Sequence, residues 1–417
     1  MATYGVAPAV VGSVCGKPFS LKATTRSTPG TASNVAARWV RRLGLRPSLS
    51  HARRLCGHTR SARCDASRNN KVSHTAEGVK AASLSSADLG TKQDSEAKAM
   101  PGKAQFANAN FPTDSLGRVY HLGVRRGEVA NRILSVGDTG RARLLSGLLE
   151  PTVTGGAIFE TTSSRGFTVF TGRKLGVPIS IISTGMGTPM IDFVVRESRA
   201  IVDGHMAIAR LGTCGILRDD VSVGSVMVAS KGSVFIRREP DAFSDLNAHI
   251  DESNNAQGPE ALPLPYRLSK VVTTDASLSA VLVRELRAQV GTVGSEVIEG
   301  LNATADSFYS SQARLGDAFE DRNERLIDDL QRQYPEAVSL EMETFHLLDL
   351  ARCSRGTISA SACAIGLAQR KTNAFIEADR IKVLEKKAGE AVLRALVLHK
   401  FEDDLDGGCV DADLRVW

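Results

Sequence analysis

The first 64 residues of this 417-residue chain contain no aspartate or glutamate, yet they carry eleven lysines and arginines. That end alone makes the formal charge +6, because residues 65–417 sum to −5. A protein that grips a phosphate backbone needs its basic face on the folded part, so the charge does not argue for a nucleic-acid partner. No apolar run approaches the about 18 residues of a membrane-crossing helix, so no membrane partner is expected. The seven cysteines include no C-x-x-C pair. Cys15, Cys56 and Cys64 lie near the N-terminus, and Cys214, Cys353, Cys363 and Cys409 are scattered, which excludes a zinc site and a disulfide framework and fits a reducing compartment. Aromatic residues make up 5% of the chain, against 42% hydrophobic and 24% charged. That balance is globular and excludes a collagen-like, coiled-coil or wholly disordered chain.

What is present divides at about residue 105. Residues 1–70 are rich in Ser, Thr, Ala and Arg and show no sustained hydrophobic period, which is the composition of an organelle transit peptide, disordered and removable. The apolar stretch Val6–Val14, broken by Pro8 and Gly12, leaves open a secretory core heading a two-part plastid signal. Residues 71–104 read as linker. Plastid or mitochondrion is the expected location; a cytoplasmic protein with a disordered basic tail is the alternative.

Residues 105–417 read as one α/β domain. Short β-branched runs (133–136, 178–184, 207–211, 225–229, 338–342, 357–365) alternate with helical patterns at 141–149, 190–202, 276–290 and 376–401. Strand, glycine loop and helix repeated in this way predict a central mixed sheet flanked by helices. Residues 231–267, with Pro240, Asn254, Asn255, Gly258, Pro259, Pro263 and Pro265, interrupt the rhythm and are expected to form a long insertion of functional or interfacial use.

Four stretches of residues carry chemistry. Gly137-Asp138-Thr139-Gly140-Arg141 joins a strand to a helix, where free amides and the helix start attract an anion, although such turns also contain glycine for steric reasons. Arg210-Leu211-Gly212-Thr213-Cys214-Gly215 adds a bidentate guanidinium, a hydroxyl and a tight turn suited to one oxyanion; a surface salt bridge and a turn-capping hydroxyl are the plainer readings. Glu341-Met342-Glu343 places two carboxylates around a soft apolar side chain, which suits a ribose diol above an apolar floor. A glutamate-rich first turn of a helix explains the same residues. Phe308-Tyr309-Ser310-Ser311-Gln312-Ala313-Arg314 brings a ring, an amide and a guanidinium into one loop, able to stack on a base and read alternating N–H and carbonyl groups as uracil shows them. It can equally be an ordinary polar loop.

Over residues 118–400 these motifs together resemble the nucleoside phosphorylase-I family, in its uridine-cleaving branch. Val119-Tyr120-His121-Leu122-Gly123 is similar to that branch's F-H-L-G, Ser135–Arg141 to its P-G-D-x-x-R, and Ser183-Thr184-Gly185-Met186-Gly187 to S-T-G-I-G. Arg210–Gly215 is similar to R-x-G-T-x-G, Phe308–Arg314 to F-Y-x-x-Q-x-R and Glu341–Glu343 to E-M-E. Residues 238–243 look like a stretch seen in some protozoan and plant-type members. The resemblance implies a core that is partly barrel-like and a reversible phosphorolysis of uridine, and of deoxyuridine, to uracil and ribose 1-phosphate. Phosphate is the co-substrate, and no cofactor or metal is implied.

By the same resemblance, Gly137, Arg141, Arg210 and Thr213 hold phosphate, joined by Arg165 of a neighbouring subunit. Phe308, Gln312 and Arg314 hold uracil, with Arg370 on a lid loop near the base. Met342 and Glu343 hold ribose, Glu341 supports them, and His121 of the neighbour reaches the 5′-hydroxyl. Arg210, Gln312 and Arg314 are the expected catalytic residues. Val136 replaces the proline of the phosphate loop. Gly166 and Met190 stand where some bacterial members carry Glu and Ser as ligands of an alkali metal between subunits. A homodimer is therefore expected rather than a ring hexamer. A nucleosidase or purine nucleoside phosphorylase of the same fold, or a binding or storage relative without activity, are the alternatives.

Overall fold

The computed structural model describes residues 106–151, 156–247, 264–401 and 415–417. The expected transit peptide and linker, and the middle of the expected insertion, lie outside the described residues. Twelve strands form one mixed sheet with helices packed against it, as the residue patterns predict.

Strand β1 (Arg132–Val136) is buried along its whole length and runs into Gly137. Helix α1 (Thr139–Ser146) follows, capped by the Asp138 carboxylate, which accepts from the Arg141 amide at 2.8 Å. The chain then makes β2 (Phe159–Thr162), β3 (Thr168–Lys174) and β4 (Val177–Ser183), the last parallel to β1. Helix α2 (Thr188–Ile201) starts at Gly187, whose φ of +93° is open to glycine at little cost.

Strand β5 (Met206–Ile216) is the spine of the sheet. It pairs in parallel with β1 and antiparallel with β11. After β6 (Val226–Val228), β7 (Ser233–Arg238) and β8 (Tyr266–Leu268) come α3 (Ala276–Val290), β9 (Val297–Glu299) and β10 (Leu301–Ala305). The C-terminal part is α4 (Leu326–Gln333), β11 (Ala337–Glu341), α5 (Thr344–Cys353), β12 (Ile358–Gln369) and α6 (Ala378–Leu398). Most of the largest core cluster is made by β1, β4, β5 and α1 meeting α3 and α6.

Two expectations change. The insertion at 231–267 contains β7 and β8, an antiparallel pair built into the sheet, with β7 also parallel to β10. The tight turn expected at Gly212-Thr213 is instead the continuation of β5, because β12 offers it a partner as far as Ile216, including Ala364 for Gly212 and Ile365 for Thr213. Local turn propensity loses to a long parallel neighbour.

Gly232 sets the entry to β7. Its φ is +88°, and a Cβ there would lie 2.1 Å from the Val272 carbonyl oxygen. That oxygen accepts from the Ser233 amide and cannot withdraw without breaking the bridge. Gly232→Ala is expected to cost at least about 2 kcal/mol, from the positive φ and the overpacking together. Urea unfolding read by circular dichroism measures it; an unchanged midpoint would refute the reading.

Candidate active site

A cavity of about 300 Å³ opens at the C-terminal ends of β1, β5 and β12. It is lined by Gly137 and Arg141 from the first loop, Arg210 and Thr213 from β5, Phe308, Gln312 and Arg314 from the loop after β10, and Glu341, Met342 and Glu343 from the end of β11. Ten of the sequence-predicted residues therefore line one cavity. Register achieves this, since the end of β1 at Val136 lies opposite Leu211 in the middle of β5, and β11 runs antiparallel beside β5 to end at Glu341. A larger cavity of about 700 Å³ lies between β8 and α4 and contains none of them. Two of its arginines are paired with carboxylates, Arg267 with Glu239 at 2.9 Å and Arg332 with Asp329 at 2.6 Å.

The centre of the site is a buried charge cluster. Arg210 is 4% exposed and lies between two carboxylates, with Nη2 donating to Glu343 and Nε 3.6 Å from Glu341. Its Nε and Nη1 are buried without a hydrogen-bond partner. Orphaned buried donors cost about 1–3 kcal/mol each, a cost that an anion in the cavity would remove. Gly212 makes room for this side chain, since a Cβ would meet Nε and Nη2 at 3.4 Å.

The two glutamates differ in their partners. Glu343 accepts from the Gly187 amide at 2.5 Å, at the start of α2, and from Arg210. Burial pushes its carboxyl above the ordinary range, against the pull of the Arg210 guanidinium. Glu341 accepts from the Thr304 hydroxyl at 2.6 Å, the Glu343 amide at 3.0 Å and the Thr344 amide at 3.1 Å. Thr344 is the first residue of α5 and Glu343 its N-cap, so both glutamates precede the helix and its first turn carries no acidic residue. Glu341 is thus engaged behind the site, and Glu343 is the carboxylate at its edge. Met342 stands beside Gly187, within 3.9 Å of where its Cβ would be.

Arg141 lines the cavity while donating to Glu385 of α6 at 2.8 Å and to the Leu211 carbonyl at 3.3 Å. At the opposite side, Arg314 donates to the Phe308 carbonyl at 3.1 Å and lies 3.8 Å over the Phe308 ring, with buried Gln312 between them in sequence. Arg370 backs this wall instead of lining it. It donates to the Ala313 carbonyl at 3.1 Å and covers Gly215 so closely that a Cβ there would be 2.9 Å away. Burial holds both guanidinium groups below their ordinary range, and for Arg370 the charge of Arg314 adds to it.

His121 and Arg165 lie outside this chain's cavity. They meet at Tyr120, to whose hydroxyl Arg165 donates and whose ring it covers at 4.8 Å. His121 bonds Glu197 at 2.6 Å through Nδ1 and stacks on Phe193 at 3.7 Å. Asp138, Met186 and Cys214, which stand in the motifs without an assigned role, and Phe375, which lies outside them, also line the cavity. Phe375 and Met186 are largely exposed rim residues. Cys214 and Cys363 are free buried thiols on β5 and β12; burial pushes Cys363 up to about 12 and Cys214 further, so both stay protonated at neutral pH. Among the described residues no group of three or more His, Cys, Asp or Glu side chains is placed to hold a metal ion.

The phosphorylase superfamily profile matches residues 131–397, and the chain belongs to that superfamily, a family of pentosyltransferases. Its solved and curated relatives narrow the comparison. A uridine phosphorylase structure from the oomycete Phytophthora capsici is 44% identical, with a TM-score of 0.64, over 71% of this chain and all of that one. The uridine phosphorylase of Thermococcus kodakarensis is 27% identical over 75% of this chain and 97% of its own length. A purine nucleoside phosphorylase from Bacillus velezensis is 26% identical over 54% and 98%. The resemblance read from the motifs thus holds at the level of the family.

Proposed function

We propose that this chain is a uridine phosphorylase, which converts uridine and phosphate reversibly to uracil and ribose 1-phosphate. The observation that carries the reading is Arg210, a buried guanidinium with two unpartnered donors at one end of a cavity whose other end holds Gln312, Arg314 and Phe308. One end suits an oxyanion and the other a planar base with carbonyl groups. The uridine phosphorylase from Phytophthora at 44% identity supports the pyrimidine choice.

The residues assign the steps. Phosphate is held by Arg210, the Thr213 hydroxyl and the Gly137 loop, beneath C1′ of the ribose. Glu343 accepts from the ribose hydroxyls and Met342 supports the ring. A phosphate oxygen forms a bond to C1′ on the face opposite the base while the C1′–N1 bond breaks, its electron pair passing to the uracil. The charge spreads over the uracil oxygens, where Gln312 and Arg314 strengthen their hydrogen bonds, and the leaving uracil takes a proton at N1. The crowding of Arg314 against Arg370 favours this step, because negative charge on the base relieves two guanidinium groups that burial disfavours. His121 and Arg165 belong to the site of a second copy in this reading, which makes the active form a dimer.

The test is incubation with uridine, with and without phosphate, and chromatography of the products. Uracil and ribose 1-phosphate that form only with phosphate are expected. Uracil at equal rates in both would mean a nucleosidase, and turnover of inosine or adenosine alone would mean a purine enzyme.

A further inference from the structure

Three neighbouring strands bring five buried polar side chains onto one face behind the site. In register, Asn302 of β10 lies between Ser233 of β7 and Ser339 of β11, and Thr304 lies beside Glu341. All five are at most 4% exposed. Polar groups at this depth, on strands that otherwise carry Val, Ala and Leu, cost stability unless every one is bonded.

The hydrogen bonds resolve the direction of the network. Ser233 Oγ donates to Asn302 Oδ1 at 2.7 Å, and Asn302 Nδ2 donates to Ser339 Oγ at 3.0 Å. Thr304 Oγ1 accepts the Phe345 amide of α5 at 2.8 Å and has one proton to give. Three oxygens are in reach, Ser233 Oγ at 3.2 Å, Asn302 Oδ1 at 2.9 Å and Glu341 Oε1 at 2.6 Å. Asn302 Oδ1 is already served by Ser233, and of the three the carboxylate is both the nearest and the charged acceptor, so the proton goes to Glu341.

We infer that Thr304 is a positioning residue for the phosphate site, acting through Glu341. It touches no part of the cavity. Its hydroxyl pins one oxygen of the carboxylate that stands 3.6 Å from Arg210 Nε, too far for a hydrogen bond. Without that hydroxyl only the Glu343 and Thr344 amides hold the carboxylate, which can then turn toward Nε and take a donor that phosphate needs. The same bond pair joins Glu341 and the first turn of α5, fixing the turn that carries Met342 and Glu343.

This inference rests on the phosphorolysis reading, and the experiment separates the two. The full chain and its Thr304→Val, Thr304→Cys and Thr304→Ser variants are compared in steady-state kinetics, with phosphate and uridine varied in turn. Thr304→Val keeps the shape and removes the donor. Its KM for phosphate is expected to rise and its kcat to fall, by about tenfold to a hundredfold in kcat/KM for phosphate, as for a displaced catalytic group, with KM for uridine nearly unchanged. Serine should restore wild-type values and cysteine, a weak donor, should fall between. If valine does not fold, the serine–cysteine difference decides. A wild type that releases no uracil with phosphate refutes the proposed function before Thr304 is at issue. An active wild type with phosphate constants equal in all variants refutes the positioning role, and so does a loss of kcat at constant KM that serine does not restore.

Discussion

Arg210→Ala should lower kcat/KM for phosphate by a thousandfold or more, on the order of the loss of one to two oxyanion donors. Two unpartnered N–H groups and a full charge leave the phosphate end of the cavity together. The same substitution should also cost stability. Arg210 is the cation shared by Glu341 and Glu343, all three buried. Removing it strands two carboxylates, and breaking a buried pair in this way typically costs about 3–5 kcal/mol. The cost should depend on pH with a defined sign. Burial already raises Glu343, and loss of the cation raises it further. A carboxyl raised in the folded state holds its proton longer there than in the unfolded chain, so stability falls as pH rises above the ordinary carboxylate range. Arg210→Ala should therefore come closest to the wild type in thermal stability at acid pH, where both hold Glu343 protonated, and diverge as pH rises. Kinetics at pH 7 on the folded fraction, with melting curves across pH, separate the two effects. Wild-type turnover would remove the phosphate assignment, and a pH-independent stability difference would remove the charge-cluster account.

The parts of this site that sequence makes visible are those built from neighbours along the chain. Asp138 caps α1 three residues before Arg141, and Glu341 to Glu343 span one turn, so their chemistry is readable from spacing alone. Gly212-Thr213 was readable as chemistry but not as structure, because its composition signals a turn while β12, about 150 residues away, holds it as strand. β10 and α5 give little signal: Leu301–Ala305 is short and partly polar, and the polar residues it buries are satisfied by the strands on both sides and by the start of α5. Thr304 has no local mark at all. Its importance comes from register with Glu341, which no window of sequence contains. Arg370 is a related case, since the sequence places it near the base, whereas packing on Gly215 puts it behind the wall as a second charge beside Arg314.

Glu343→Gln should separate ribose recognition from phosphate binding. The amide is isosteric and keeps an oxygen for the Gly187 amide, so the turn and the start of α2 stay in place. What it loses is the charge that faces Arg210 and that, in the proposed function, accepts from the ribose hydroxyls. A hydrogen bond to a charged group contributes about 1.5–3 kcal/mol, so kcat/KM for uridine should fall roughly tenfold to a hundredfold. Deoxyuridine, which lacks one hydroxyl, should lose less, and the preference between the two nucleosides should shrink. Phosphate should bind at least as well, because Arg210 Nη2 is released from its carboxylate. The pH profile supplies an independent reading. Glu343 acts ionised and its carboxyl is raised by burial, so the wild-type acid limb should lie above the ordinary carboxylate range, with activity lost as pH falls through it. In the glutamine variant that limb should disappear or move toward lower pH. Equal losses on both nucleosides, with the acid limb unmoved, would take the ribose role away from Glu343 and leave it as the partner that holds Arg210 in place.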